Sequence, residues 1–236
     1  MVGMSELQAV FWDMDGTLVD TEPYWIESEF QLVKDHGGSW NEEKAHLLIG
    51  QALTYSATVL QESGVQMGTR EIIDHLTAQV AARCAARMPW RPGARDLLEE
   101  LHTSQVRNAL VTMSFTPLAR AVVDALPEGQ LEFIVTGDMV SAGKPDPEAY
   151  HLAFDTMAAD HELRTGEHLQ RRRCIAVEDS VPGTAAAAAS GLVTLAVPHY
   201  TVLPETGQWH LYETLDGASV ADLQALLVTD PSPASA

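Results

Sequence analysis

Short apolar runs that end in polar residues recur along this chain, and between them apolar residues fall at helical spacing. The first run, Ala9-Val10-Phe11-Trp12, closes on two carboxylates one residue apart, Asp13 and Asp15. Strand side chains alternate, so residues two apart emerge on one side. From 21 to 88 the pattern is helical throughout. Tyr24, Trp25, Phe30, Leu32 and Val33 predict one helix, broken at Gly37-Gly38. Asn41 caps a second that ends near Gly50, and 55–62 and 69–87 predict two more. Four helices in that span make a small bundle. Pro89, Pro92 and Gly93 mark its end.

From Pro92 onward helix and strand alternate. Helices are predicted at 94–101, 117–126, 147–157, 183–190 and 220–227, and strands at 108–112, 133–136, 173–177 and 192–197. That order implies parallel βαβ units with right-handed crossovers. The expected fold is a doubly wound α/β core, residues 1–20 and 89–236, with the helical bundle of 21–88 inserted as a cap. Trp12 reads as core, 171–173 as a solvated approach to a strand, and 231–236 as a frayed tail.

Composition narrows the partners. Of 236 residues 46% are hydrophobic, ample for a core, and the net charge is −19. Nucleic acid and anionic membranes need basic patches, so neither is an expected partner. A phosphorylated substrate would need a local cation, and only Lys34, Lys44 and Lys144 are lysines. Cys84 and Cys174 have no metal-ligand spacing and read as small buried residues. No secretory pattern opens the chain and no run approaches the ~20 apolar residues of a membrane span, so a cytoplasmic location is expected.

Alone, an Asp-x-Asp-Gly turn is also what an ordinary acidic turn looks like. Three more strand ends change its weight: Thr112-Met113-Ser114, Gly143-Lys144-Pro145-Asp146-Pro147, and Glu178-Asp179-Ser180-Val181-Pro182-Gly183. With Asp13-Met14-Asp15-Gly16-Thr17 they resemble, in order, the four motifs of the haloacid dehalogenase superfamily. The helical insert right after the first motif resembles the C1-capped branch, which holds sugar phosphatases and β-phosphoglucomutase. The stretch running on through Asp20-Thr21-Glu22-Pro23 looks especially like hexose- or hexitol-phosphate phosphatases.

The resemblance implies a Rossmann-like fold and a phosphatase. Asp13 would be the nucleophile and Asp15 the acid/base. Thr112, the Met113 backbone N–H and Lys144 would hold the phosphoryl group. Asp13, the Asp15 carbonyl, Asp179 and Glu178, directly or through water, would bind Mg2+, a hard cation suited to oxygen ligands. Trp25, Gln51 and Tyr55 are the candidates for the cap side of a small phosphorylated metabolite. A β-phosphoglucomutase-like phosphotransferase is the alternative, and a non-catalytic binding protein a further one. Three residues favour the phosphatase: Thr17 where mutases commonly have an aliphatic residue, Trp25 in place of a histidine, and Leu53 in place of a cap arginine.

Overall fold

The computed structural model describes residues 7–204 and 208–228. The tail at 231–236 and the first six residues lie outside that range. Strand β1 (Ala9–Trp12) is followed by four helices, α1 (Glu22–Asp35), α2 (Glu42–His46), α3 (Leu53–Glu62) and α4 (Thr69–Ala86). Then come α5 (Ala94–Thr103), β2 (Arg107–Val111), α6 (Thr116–Val123), β3 (Ile134–Val135), α7 (Glu148–Thr165) and β4 (Cys174–Glu178). The described chain closes with α8 (Val181–Ala189), β5 (Val193–Ala196), β6 (His210–Leu211) and α9 (Val220–Leu226).

The six strands form one sheet in the order β3-β2-β1-β4-β5-β6, parallel throughout. β1 is central and buried at every position, which a parallel strand covered on both faces requires. After β1 the chain builds β2 and β3 on one side and then crosses to build β4, β5 and β6 on the other. The order therefore reverses at β1, and ligands of such sheets bind outside the carboxyl ends of the strands at that point.

Strand alternation divides the core in two. Val10, Trp12, Leu110, Ile175, Val177 and Leu195 belong to one apolar cluster, and Ala9, Phe11, Ala109, Val111, Cys174 and Ala176 to the other. The first cluster runs on without a break into Leu32, Leu60, Ile72 and Leu76 of the helical insert, and α4 packs against α6. The second is covered by α7 and α8. Small alanines on α8 and on that face of the sheet bring helix and strands close together. Trp12 is fully buried, and its indole N–H donates to Asn108 Oδ1 at 3.0 Å, so its one polar atom is satisfied. Cys84 and Cys174 are buried as expected.

Several boundaries differ from the pattern-based ones for local reasons. Asn41 does cap α2, accepting from Lys44 N at 2.9 Å, but α2 is only five residues long and gives way to turns before Gly50, whose φ is +72°. α7 continues past Met157 to Thr165. There the exposed Asp160–Arg164 pair bridges one helical turn, and Gly166 caps the end at φ +73°. β6 has no hydrophobic signature because it is two residues at a sheet edge, held by pairing to β5. Among the described residues no helix is long and apolar enough to cross a membrane.

Candidate active site

The register brings three strand ends level. Trp12 lies beside Leu110 on one side and Val177 on the other, so the residues that follow each strand meet over β1. Lys144, from the loop before α7, reaches into the middle of this group. Its Nζ lies 2.7 Å from Asp13 Oδ1, 2.6 Å from Glu178 Oε1 and 2.9 Å from the Val111 carbonyl oxygen, to which it donates. Burial alone would favour a neutral amine. The carboxylates of Asp13 and Glu178 outweigh it and hold the ammonium above the ordinary lysine range.

Asp15 points elsewhere. Its Oδ1 accepts from the Thr21 hydroxyl, and its Oδ2 accepts from Ser114 Oγ at 2.7 Å and Thr112 Oγ1 at 3.3 Å. Burial pushes the Asp15 carboxyl up and the charge of Asp13 adds to that, while the three hydroxyl donors pull the other way. Two carboxyls two residues apart thus have unlike surroundings. One is paired with a cation and the other is enclosed among hydroxyls.

Asp13, Glu178 and Asp179 each present a carboxylate oxygen, all within 4.8 Å of one another, and all three residues are buried. Burial first, and then neighbouring carboxylates, raise the proton affinity of Glu178 and Asp179. Four carboxylates, with Asp15, face a single lysine in this crevice. That charge surplus and the all-oxygen donor set fit a hard divalent cation. The Asp15 side chain is taken up by hydroxyls, which leaves its main-chain carbonyl as the group available to a metal.

Two glycines make room. Gly16 has φ +86°, and a Cβ there would lie 2.1 Å from Asp179 Oδ2. A Cβ on Gly183 would lie 1.8 Å from Glu178 Oε2. Gly183 is inside α8, where alanine ordinarily gains about 1 kcal/mol over glycine. Glu178 cannot retreat, because Lys144 and the Tyr150 hydroxyl, donating at 2.7 Å, hold its other oxygen. Overpacking of this kind costs about 1–3 kcal/mol. Gly183→Ala should therefore lower the melting temperature in a thermal denaturation experiment. A rise would show that Glu178 is not held where the structure puts it.

Of the residues singled out from sequence, Asp13, Asp15, Thr112, Lys144, Glu178 and Asp179 come together at this crevice. Met113 flanks it. Its sulfur accepts from Lys144 N at 3.3 Å, and its own N–H has no partner among the described residues. Trp25 is packed in the apolar core, while Gln51 and Tyr55 are exposed at and just before the first turn of α3. The Trp25 backbone N–H donates to the Thr21 carbonyl at 3.1 Å, and among the described residues no side chain of the three hydrogen-bonds to the crevice group. A groove of about 510 Å³ near Glu27, Lys34 and Trp40 contains none of the crevice residues. Sequence reasoning passed over Thr21, Ser114 and Tyr150 as site residues. Ser114 was open to discovery, being two residues beyond Thr112. Tyr150 was not, because only the packing of α7 on the sheet brings its hydroxyl to Glu178.

Known proteins resemble this chain in sequence and fold. Residues 7–191 match the model of a hydrolase family described as haloacid dehalogenase-like hydrolase. A phosphorylated carbohydrates phosphatase of Thermotoga maritima is 28% identical over 191 residues, 79% of this chain and 82% of that protein. Hexitol phosphatase A of Escherichia coli is 30% identical over 192 residues, 79% of this chain and 81% of that one. The crystal structure of CbbY from Rhodobacter sphaeroides, in complex with phosphate, superposes with a TM-score of 0.77 at 26% identity, covering 92% of this chain and 99% of that one. A match over most of the chain, on a sheet whose strand ends carry the expected acids while Lys144 reaches them from the loop before α7 and not from a strand end, makes this protein a member of the haloacid dehalogenase-like hydrolases.

Proposed function

We propose that this phosphoric monoester hydrolase cleaves a small sugar or polyol phosphate by way of a phosphorylated Asp13, with Mg2+ as cofactor. The observation that carries the reading is the unlike treatment of the two aspartates. Asp13 is paired with Lys144 at 2.7 Å, and Asp15 is enclosed by Thr21, Thr112 and Ser114. An Asp13 paired with a lysine at the strand end is suited to attack phosphorus. An enclosed Asp15 of raised proton affinity is suited to protonate the departing alkoxide and then to take a proton from the attacking water. Lys144 and the free Met113 N–H offer charge and a hydrogen bond to the non-bridging oxygens, with Thr112 beside them. Asp13, Glu178, Asp179 and the Asp15 carbonyl would hold Mg2+, which when bound supplies further positive charge to those oxygens.

In this reading 21–88 is a cap domain over a core of 1–20 and 89–236, and the enzyme works on a cytoplasmic metabolite. A mutase would need cations in the cap to hold a second phosphate. Three of the five cap cations already have partners: Lys44 with Ser63 and Trp40, Arg70 with Asp74, and Arg83 with Glu27. That supports hydrolysis. Incubated with a hexose or hexitol phosphate and Mg2+, the enzyme should release inorganic phosphate faster than it isomerises the sugar. EDTA should silence it, Mg2+ should restore it, and Asp179→Ala should severely weaken that restoration. Isomerisation outpacing phosphate release would favour the mutase, and full activity in rigorously metal-free enzyme would contradict the metal site.

A further inference from the structure

Helix α1 starts one residue after Thr21, whose hydroxyl holds Asp15, and it runs along α4. Glu22 and Glu29 lie on it seven residues apart. Seven residues are close to two helical turns, so the two acids share a face, about 10 Å apart along the axis. Glu22 feels the charges of Asp15 and Asp20, and Glu29 feels that of Glu22, so a line of carboxyls leads away from the catalytic centre. Long helical side chains lean toward the helix N-terminus, which brings the Glu29 carboxyl back toward Glu22 and Asp15.

Glu29 is only 4% exposed, and among the described residues its Oε2 accepts no hydrogen bond. The residues buried beside it on α1 include Trp25, Leu32 and Val33, so packing gives no reason for an acid there. Burial, with the charge of Glu22 adding to it, pushes its carboxyl up to about 8. Two hydroxyls are likewise buried without a partner among the described residues: Thr17, in the turn after β1, and Thr77 on α4, each 2% exposed. Buried polar groups are normally satisfied, and those that are not cost stability. Three such groups, on the turn after β1, on α1 and on α4, which packs against α1, point to a ligand that brings its own hydroxyls.

We infer that Glu29 is a specificity residue that hydrogen-bonds hydroxyls on the far end of the leaving group. The site then takes monophosphates of polyhydroxylated chains long enough to reach two turns along α1. The inference rests on the sugar- or polyol-phosphatase reading and goes further by naming the residue that measures length and hydroxylation.

The test compares sorbitol 6-phosphate, glycerol 3-phosphate and p-nitrophenyl phosphate on wild type, Glu29→Leu and Glu29→Gln. In Glu29→Leu the ratio of kcat/KM for sorbitol 6-phosphate to that for either other ester should fall about tenfold or more, the scale of one lost hydrogen bond to an acid. The melting temperature should rise, because an unsatisfied acid has been replaced by an apolar side chain. Glu29→Gln is nearly isosteric and keeps some hydrogen bonding, so its ratio should fall less. If the leucine variant fails to fold, the glutamine variant still carries the comparison through that ratio. A ratio unchanged in the folded variants, with wild type active on sorbitol 6-phosphate, would overturn the role of Glu29 and leave the phosphatase reading standing. A lowered melting temperature with all three esters slowed alike would make Glu29 structural and overturn it too. Wild type that cleaves p-nitrophenyl phosphate but no hexose or hexitol phosphate would sink both readings.

Discussion

Asp13→Asn should abolish turnover of every phosphate ester while the protein stays folded. An amide oxygen does not form the acyl phosphate that the proposed reaction passes through, so the loss should be on the order of 10⁴- to 10⁶-fold, the scale seen when a covalent nucleophile is removed. The fold should tolerate the change. Asn has the same shape, its oxygen can still accept from Lys144, and one negative charge leaves a crowded acidic group. Repulsion among Asp13, Glu178 and Asp179 falls, so the melting temperature should hold or rise. The intermediate offers the direct check. Enzyme quenched in acid during turnover should carry a phosphoryl group on the peptide containing Asp13, seen by mass spectrometry, and the variant should carry none. Substantial turnover by the variant would end the nucleophile assignment, and a phosphoryl group found on another residue would relocate it.

Asp15→Asn should reveal the acid. A sugar alkoxide is a poor leaving group and needs a proton as it departs, whereas p-nitrophenolate leaves unaided. General acid catalysis is worth roughly 100- to 10,000-fold, and that gap should separate the two substrates in the variant. The step that hydrolyses the phosphoenzyme needs Asp15 as a base for either substrate, so steady-state rates would mask the difference. Single-turnover experiments that follow phosphorylation alone expose it. Thr112 and Ser114 can still donate to an amide oxygen placed where Oδ2 was, and the amide NH2 on the other side can donate to the Thr21 hydroxyl, so the geometry around position 15 should survive. Equal slowing of phosphorylation for both substrates would reduce Asp15 to a structural or metal-site role and require another acid.

The periodicity of the chain carried the architecture a long way. Apolar runs such as Ala9–Trp12 and Cys174–Glu178 are buried on both faces, and only central parallel strands demand that. Each run also closes on the acids or hydroxyl that the strand end presents to the crevice. Lys144 stood out because lysine is rare here, and its flanking prolines set it apart from an ordinary loop lysine. Short or edge elements were less visible. α2 and β6 are two to five residues long and are held by neighbours more than by their own pattern.

What the sequence determined by itself was therefore local: which segments alternate with period two or 3.6, which strand ends bear carboxylates, and the order of the motifs. Only the folded chain decided which of those groups meet. Parallel register sets β1 level with β2 and β4, and so turns residues roughly a hundred or more positions apart into neighbours. The packing of α7 delivers Tyr150 to Glu178, 28 residues away, and the entry of α1 beside Asp15 lines Glu22 and Glu29 along one face. The unlike environments of Asp13 and Asp15 arise in the same way. Burial and partner choice depend on atoms contributed by distant segments, and no spacing within Asp13-Met14-Asp15 encodes them.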